Sequence, residues 1–492
     1  MITMQTFFDV MSDYLHRPIA VRAPREGMIT KAAEAASGEI QDLRLTEVYW
    51  PLVLDRMQSL LSEQFPLAAV SLDCVPAHAR MKALLHVMDE TDGGEKLREE
   101  FPELARLDRV VRTGFESLIS ESLSLAEERR AEISRQFFAG RDFGRITAIR
   151  LPWRKFQQTR TRPGGRMTLC IETEGGTFYY KPHSAKPDQV YSRLTGRFFP
   201  ELHVGNRTVD CGSASFAEAV PKLPLSCEAE CATYYTRMGL LAALYYVLGG
   251  QDLHSENIIP YGAVPVAIDV EVLLGHQMPG SALEPVIEMA PADRAGVFTP
   301  LYATGDDEYS INKEDANGHL PVLHGRKVTV EGFEEAFIAG FADGFRRMRE
   351  NAGEILSLLK GAADTPIRIG IRRLQMYPVI FAGMLQPDRL RSVAARDAWL
   401  EKAWELIPEK WRASYRELER DDLLLLDIPG FHICIGDGTI RHTEGRGSFP
   451  ETLPVPLDCV KARLPLLTEE CLDTCIRTLR ANLTAVPGGS KP

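Results

Sequence analysis

Two short acidic motifs have the residue types and spacing of a phosphotransferase. The first runs from Asp252 through His254 to Asn257, and the second, Asp269-Val-Glu271, follows a short apolar run. An Asp can orient and deprotonate an attacking hydroxyl, while an Asn five residues later and an Asp at a strand end can hold Mg²⁺ on the phosphates of ATP. The spacing therefore predicts that Asp252 is catalytic and that Asn257 and Asp269 bind the metal.

The other two residues of these motifs have less direct predicted roles. His254 lies between the base and the metal ligand, where it can brace the loop through hydrogen bonds and so support catalysis. Glu271 is predicted to lie at the bound nucleotide, where it orders Asp269 or a metal-bound water rather than ligating the metal. Taken by itself, the motif from Asp252 to Asn257 could instead be a packed turn with no catalytic role.

Basic residues that can contact phosphate precede the acidic motifs. Lys181 ends a β-rich run, and kinases place a strand lysine against phosphate oxygens. The run Arg160-Thr-Arg-Pro-Gly-Gly-Arg166 combines charge with glycines, which let a backbone approach phosphates closely. We predict that Lys181 and Arg166 bind the nucleotide, and an exposed turn with solvated charges explains the second run equally well.

A second basic pair, Arg368 and Arg372, lies well after the acidic motifs. In a strand the two side chains would share one face, because four residues is an even spacing. Two cations on one face repel each other unless an anion lies between them. We therefore predict a catalytic, phosphate-handling pair, with an exposed surface face as the alternative. Tyr377 is assigned to the core.

Hydrophobic periodicity predicts the elements that must position these residues. Residues 1–140 have the three- and four-residue spacing of helices, and residues 167–181 have the alternation of a β-hairpin with a Gly-Gly turn. A long apolar helix spans Glu228 to Leu248, and Gly249-Gly250 ends it just before Asp252. Residues 366–377 alternate and predict a strand, whereas 330–359 and 469–483 predict helices.

The whole chain has an ordinary globular composition. It has 492 residues, 45% of them hydrophobic and 25% charged, which leaves room for roughly two to four domains. The net charge of −11 does not predict a broad nucleic-acid surface, and we see neither a membrane-spanning run nor a secretory signal. The nine cysteines are scattered, and the pairs Cys227/Cys231 and Cys471/Cys475 lack a matching second half of a metal site. We expect reduced thiols in a cytoplasmic protein.

Several motifs occur together along the chain. They are Tyr180-Lys-Pro-His-Ser184, Asp252-Leu-His-Ser-Glu-Asn257, Ile268-Asp-Val-Glu271, Gly340-Phe341, Arg368-x-x-x-Arg372 with Tyr377, and Asp427-Ile-Pro-x-Phe431. In combination they resemble the dehydratase domain of class II lanthipeptide synthetases (LanM). The resemblance covers roughly residues 140–450 in the family's order, and the combination is specific.

The resemblance implies an α+β fold with a lipid-kinase-like two-lobed core and added helices. It divides the chain into a helical N-terminal region (1–140), an N-lobe with the catalytic loop (141–275), the rest of a C-lobe (276–450), and a C-terminal helix and tail (451–492). Such domains use ATP and Mg²⁺ to phosphorylate Ser or Thr of a leader-bearing precursor peptide, and then eliminate phosphate. The residues matching the two acidic motifs serve phosphorylation, and those matching Lys181 and Arg368 serve elimination.

The sequence departs from the family pattern in three ways. Leu374 stands where the family has a Thr that helps elimination, and a Leu can neither donate nor accept a hydrogen bond. The stretch from Arg160 to Gly165 replaces an Asp-x-His pair, so the phosphate-covering loop has gained positive charge. Full synthetases continue into a zinc cyclase domain, and we expect this chain not to form thioether rings by that route.

Four hypotheses about function follow, and they differ in the substrate and in the reaction, if any, that the chain catalyses. The leading one is a peptide Ser/Thr kinase that stops at the phosphopeptide or proceeds inefficiently beyond it, because of Leu374. A full dehydratase is close behind. An inactive scaffold for the precursor peptide and other maturation enzymes is disfavoured, because it would not need the predicted metal ligands. A small-molecule or lipid kinase predicts no dependence on a leader peptide.

Overall fold

The structure, a computed structural model, describes most of the chain from residue 102 onward. The described ranges are 102–150, 163–205, 207–251, 253, 257–274, 320–371, 376–384, 389–405, 407 and 409–484, together with the backbone of 71–73. Of the helices in these ranges, none has both the length and the apolar content that a membrane span requires.

Strands and helices alternate irregularly along the chain, so the fold is α+β, as the resemblance implied. The strands are β1 (Ser71–Asp73), β2 (Ile146–Arg150), β3 (Leu169–Thr173), β4 (Gly176–Lys181), β5 (Thr208–Asp210), β6 (Ser215–Glu218), β7 (Ile258–Tyr261), β8 (Val264–Ala267), β9 (Val322–Leu323), β10 (Arg326–Lys327), β11 (Pro366–Ile369), β12 (Phe431–Cys434), β13 (Asp437–His442) and β14 (Ser448–Thr452). The helices are α1 (Pro102–Glu128), α2 (Arg130–Phe137), α3 (Lys186–Phe198), α4 (Ala229–Leu248), α5 (Glu334–Glu350), α6 (Ala352–Lys360), α7 (Met376–Met384), α8 (Val393–Glu405), α9 (Glu409–Leu424), α10 (Pro456–Arg463) and α11 (Glu469–Thr484).

The first sheet has six strands in the order β1-β2-β3-β4-β6-β5. The predicted hairpin is confirmed: β3 and β4 pair antiparallel from Leu169↔Tyr180 to Thr173↔Gly176, which leaves a two-residue turn. β1 pairs parallel with β2 at the sheet edge. The region predicted to be helical, 1–140, thus also contains a strand, because a short parallel pairing across more than seventy residues leaves no local pattern in the sequence. The helix predicted from Leu104 to Leu125 is present as α1.

Two helices cross with their backbones in contact. A methyl group added at Gly239 of α4 would lie 2.0 Å from the Phe337 carbonyl oxygen, and one at Gly340 of α5 would lie 1.8 Å from the Thr236 carbonyl oxygen. Only glycine fits at both positions, since real side-chain carbons do not approach so closely. α4 then ends at Gly249, whose φ of 71° is a left-handed C-terminal cap. The predicted helix and its glycine stop are both confirmed.

The second sheet has four antiparallel strands in the order β11-β12-β13-β14. The predicted strand over 366–377 is only partly correct, because the strand ends at Ile369 and Tyr377 belongs to helix α7. A proline is tolerated in the first turn of a helix, and Pro378 is the third residue of α7. Tyr377 is buried, as predicted. Because the strand stops, the argument that placed Arg368 and Arg372 on one strand face no longer holds.

Two hydrogen bonds connect the second sheet and its flanking residues to earlier parts of the chain. The Arg368 N–H of β11 donates to the Glu271 carbonyl oxygen at 3.0 Å, just after hairpin β7–β8. Between β2 and β3, the Gly165 N–H donates to a carboxylate oxygen of Asp427, which precedes β12, at 3.1 Å. Residues from both sheets and from the α4–α5 pair form one continuous apolar core. Lys181, Asp269 and Arg368 therefore come from three segments that are distant in sequence.

Candidate functional site

Hairpin β7–β8 brings the two acidic motifs together at one end. Its last pair is Ile258↔Ala267, and the next residue, Ile268, donates its N–H to the Asn257 carbonyl oxygen at 2.9 Å. Asn257 is buried beside the point where the chain turns to Asp269. The backbones of Asn257 and Asp269 therefore lie at the same end of the hairpin, and their predicted role as metal ligands stays a prediction. Both residues have oxygen-bearing side chains of the kind that Mg²⁺ prefers.

Asp269 has a strained backbone and a disfavoured charge. Its φ of 58° lies in the left-handed region, which costs a non-glycine residue about 1 kcal/mol or more and is a feature of functional sites. Burial and the neighbouring charge of Glu271 raise the pKa of Asp269 above its ordinary value, although Lys181, His183 and Arg368 oppose the shift. The surrounding structure therefore holds Asp269 in a backbone conformation and at a buried position that an aspartate does not favour by itself.

Glu271 is buried and shares its two oxygens between different groups. Arg368 Nη1 donates to Oε1 at 2.7 Å, and His183 Nε2 lies 3.9 Å from Oε2. The side chain of Glu271 is only 5% exposed, whereas that of Arg368 is 32% exposed. Arg368 therefore reaches the acidic cluster from the solvent side and neutralises one oxygen of Glu271.

Lys181 ends β4 with its ammonium group buried among carboxylates. Its Nζ lies 3.3 Å from an oxygen of Asp188, in the first turn of α3. Burial alone would lower the pKa of Lys181, but the negative charges of Asp188, Asp269 and Glu271 outweigh it and raise the pKa. The lysine therefore stays charged, as a phosphate-contacting residue must.

His183 lies in the same cluster, two residues after Lys181. One ligand atom each from His183, Asp269 and Glu271 falls within a group whose members are all within 4.8 Å of one another, and this is the only such group among the described residues. The turn that carries His183 is fixed by Asp210, one oxygen of which accepts from Ser184 Oγ at 2.9 Å and from the Ala185 N–H at 2.8 Å. The site thus contains nitrogen and oxygen donors in a rigid setting.

Comparison with known proteins places this cluster in a defined family. A family model described as "Domain of unknown function (DUF4135)" matches residues 101–305 and 298–433, which together are more than half of the chain. The chain belongs to the DUF4135 family. Every residue of the cluster, from Lys181 to Arg368, falls inside the DUF4135 region.

A curated relative resembles about two thirds of the chain. It is the lacticin 481/lactococcin biosynthesis protein LcnDR2 of Lactococcus lactis subsp. lactis, which is 21% identical over 380 residues. The aligned part covers 65% of this chain and 40% of the relative. The chain therefore spans less than half of that protein's length.

Within the DUF4135 region, Arg166 lies apart from the cluster in its described contacts. Arg166 Nη2 pairs with Glu121 at 3.2 Å, and Nη1 lies 3.6 Å from Glu444. Tyr180 donates its hydroxyl to the same Glu121 at 3.1 Å, and consecutive strand side chains point to opposite faces. Arg166 is thus on the side of β4 away from Lys181, and its predicted contact with nucleotide stays a prediction.

Some predicted site residues lie outside the described residues. These are the catalytic candidates Asp252, His254 and Arg372, the departure Leu374, and the run from Arg160 to Arg162. The approach to Asp252 is described, because the Gln251 N–H donates to the Val272 carbonyl oxygen at 3.0 Å. The chain therefore enters the first motif directly beside the second.

Two residues of the site were not predicted from sequence. His183 belongs to the motif Tyr180-Lys-Pro-His-Ser184 but had no partner until the fold brought the second acidic motif beside it. Asp188 looked like an ordinary acidic residue in the first turn of a helix. Its spacing of seven residues from Lys181 predicts a contact between the two only when strand β4 is known to turn directly into α3.

Proposed function

We propose that this chain is an ATP- and Mg²⁺-dependent enzyme that phosphorylates Ser or Thr side chains of a ribosomally synthesised precursor peptide. The observation that carries the proposal is the convergence of Lys181, Asp269, Glu271 and Arg368 from three distant segments. A buried lysine among carboxylates, next to a carboxylate and amide pair, is the residue set that phosphoryl transfer requires.

The peptide substrate is supported by similarity rather than by geometry. The relative is named for lacticin 481/lactococcin biosynthesis, and the motifs resemble the dehydratase domain of class II lanthipeptide synthetases. A lipid-kinase-like two-lobed core belongs to the same proposal, with the six-stranded sheet as one lobe. A small-molecule kinase would use the same chemistry, but the sequence similarities favour a peptide substrate.

Each residue of the cluster has a distinct task in the proposed reaction. Asn257 and Asp269 would hold Mg²⁺, which neutralises charge on the phosphates. Lys181 would contact phosphate oxygens with an ammonium group that the surrounding carboxylates keep protonated. Asp252 would orient the Ser or Thr hydroxyl and accept its proton, so that the hydroxyl oxygen bonds the γ-phosphorus while the bond to ADP breaks. Glu271 would order the side chain of Asp269 or a metal-bound water.

We further propose that the reaction stops at the phosphopeptide or continues poorly beyond it, because Leu374 replaces the Thr of the resembled family. One observation favours the alternative of full dehydration. Arg368 lies against Glu271, so a cation that can bind the leaving phosphate is present at the site. Arg372 would assist it in either case.

Intact mass spectrometry of a peptide encoded beside this gene tests the proposal. After incubation with the protein, ATP and Mg²⁺, we expect a gain of one phosphoryl mass, which Asp252→Ala abolishes and the surface variant Arg346→Met retains. A loss of one water would instead establish the full dehydratase. An unchanged peptide together with undetectable ATP binding would contradict the kinase and favour a scaffold.

A further inference from the structure

His183 gives the acidic cluster a nitrogen donor. Its Nε2 lies 3.9 Å from Glu271 Oε2, and the ligand atoms of His183, Asp269 and Glu271 are all within 4.8 Å of one another. A single ion at the centre of such a group can reach all three atoms with only a small closure of the side chains. The side chains of His183 and Glu271 are 13% and 5% exposed, so the group lies under the surface.

The hydrogen bond on the other ring nitrogen orients the imidazole toward the carboxylates. His183 Nδ1 lies 3.0 Å from the Ser184 carbonyl oxygen. A carbonyl oxygen only accepts, so Nδ1 carries the hydrogen and Nε2 is the nitrogen that faces Glu271. Metal-binding histidines in proteins have this same arrangement, with one ring N–H donated to a backbone carbonyl. The Ser184–Ala185 backbone is in turn held by Asp210.

The charges around the group favour a cation. The carboxylates of Asp188, Asp269 and Glu271 outnumber the two permanent cations, Lys181 and Arg368. One oxygen of Asp188 is buried without a hydrogen-bond partner among the described residues. Excess negative charge in a buried place costs free energy, and a bound divalent cation relieves it.

We propose that His183 Nε2 is a ligand of the divalent cation that Asp269 and Glu271 hold, so that this site prefers a cation that accepts nitrogen, such as Mn²⁺, over Mg²⁺. Imidazole binds first-row transition-metal ions, Mn²⁺ included, more strongly than Mg²⁺, whereas carboxylates accept both classes. The inference deepens the proposed function and rests on its assignment of Asp269 to a metal. It also gives Glu271 a ligand role, instead of only the ordering role assigned from the sequence.

Electron paramagnetic resonance of the protein with Mn²⁺ alone, without nucleotide or peptide, tests this inference. We expect bound Mn²⁺ whose pulsed spectrum shows ¹⁴N modulation from a coordinated imidazole. His183→Ala and the bulkier His183→Gln should remove the modulation and weaken Mn²⁺ binding on the order of tenfold or more, with a much smaller effect on Mg²⁺. The matched control is His203→Ala, an exposed histidine on another segment, and thermal unfolding would show that each variant folds.

The other outcomes separate this inference from the proposed function. Mn²⁺ that binds without ¹⁴N modulation, and is lost in Asp269→Asn but not in either His183 variant, overturns the histidine ligand and leaves the oxygen-only metal site standing. Phosphorylation with Mg²⁺ but no Mn²⁺ binding by the parent protein also overturns it. If the parent protein neither binds Mn²⁺ nor phosphorylates the peptide, both proposals are overturned.

Discussion

Two buried ionic clusters in this molecule differ in how completely their charges are matched. Arg396 of α8 is fully buried, and its guanidinium donates to Glu103 at 3.1 Å and to the Leu424 carbonyl oxygen at 2.6 Å. Burial lowers the pKa of Arg396 to about 10, against the opposing charge of Glu103. In the cluster around Asp269, by contrast, carboxylates outnumber permanent cations, and one member has a strained backbone.

The difference separates a structural tie from a site that is prepared for a ligand. The Arg396 pair joins α1, α8 and the end of α9, and its contacts are to fixed protein groups. Among the described residues, each cluster has one buried polar atom without a hydrogen-bond partner, Arg396 Nε in the first and Asp188 Oδ2 in the second. Only the candidate site keeps negative charge in excess. Removing a charge should therefore destabilise the first cluster, whereas in the second it should remove function at little cost in stability.

Arg396→Met should give the largest loss of stability. Among the described residues, it leaves buried Glu103 with the more exposed Arg106 as its remaining ionic partner, so we expect the free energy of unfolding to fall by about 3–5 kcal/mol. Urea denaturation measures the change. The surface pair Arg346–Glu469 is the matched control, because Arg346→Met should cost less than about 1 kcal/mol.

A second substitution sharpens this test. Adding Glu103→Gln to Arg396→Met removes the stranded charge and should restore part of the lost stability. If the single Arg396 variant is as stable as the parent protein, the pair is not a structural tie and the comparison fails.

Asp269→Asn should have the opposite effect to Arg396→Met, because it should lower activity and leave stability intact. Asn tolerates the left-handed backbone as Asp does, so the substitution changes the charge and leaves the local fold intact. We expect the rate of peptide phosphorylation to fall by about 10²–10³-fold. The melting temperature should stay the same or rise, because burial and Glu271 both disfavour the charge that is removed. A large drop in melting temperature would show that Asp269 is structural.

Asp188→Asn should change the pH dependence of the reaction. The charge of Asp188 raises the pKa of Lys181, and an ammonium group is charged only below its pKa. Activity that needs charged Lys181 therefore falls as pH rises through that pKa. Without Asp188 the pKa is lower, so the alkaline limb of the kcat/KM profile should move to lower pH. An unmoved limb would mean that Lys181 is not the group that titrates.

Arg166→Met should have the smallest effect on stability. Both ion pairs of Arg166 are partly exposed, so the change in the free energy of unfolding should stay within about 1 kcal/mol. Measuring ATP affinity on the same variant decides between the two interpretations of this residue. Unchanged affinity assigns Arg166 to the surface of the first sheet, and a clear loss restores its predicted place at the nucleotide.

The sequence predicted best where a pattern is local. The hairpin β3–β4, helix α4 with its Gly249 stop, and the end helix α11 all follow from periodicity and turn residues. The strand over 366–377 failed beyond Ile369, since alternation in a short apolar segment also fits a buried helix. The parallel edge strand β1 had no signal that periodicity could detect.

The candidate site was predictable only in part, for a related reason. Asn257 and Asp269 lie close in sequence, and a hairpin brings them together by short-range rules. His183 and Asp188 join the site because the first sheet packs beside that hairpin, which depends on the whole fold. The pairing of Arg368 with Glu271 spans 97 residues and is likewise tertiary.

The glycine contact between α4 and α5 has a mechanical consequence. Because the two backbones touch at Gly239 and Gly340, neither helix can rotate or slide without the other, and the pair moves as one rigid unit. Helix α4 ends at Leu248, four residues before Asp252. Any motion of Lys181 relative to this helix pair must then come from the six-stranded sheet that carries Lys181.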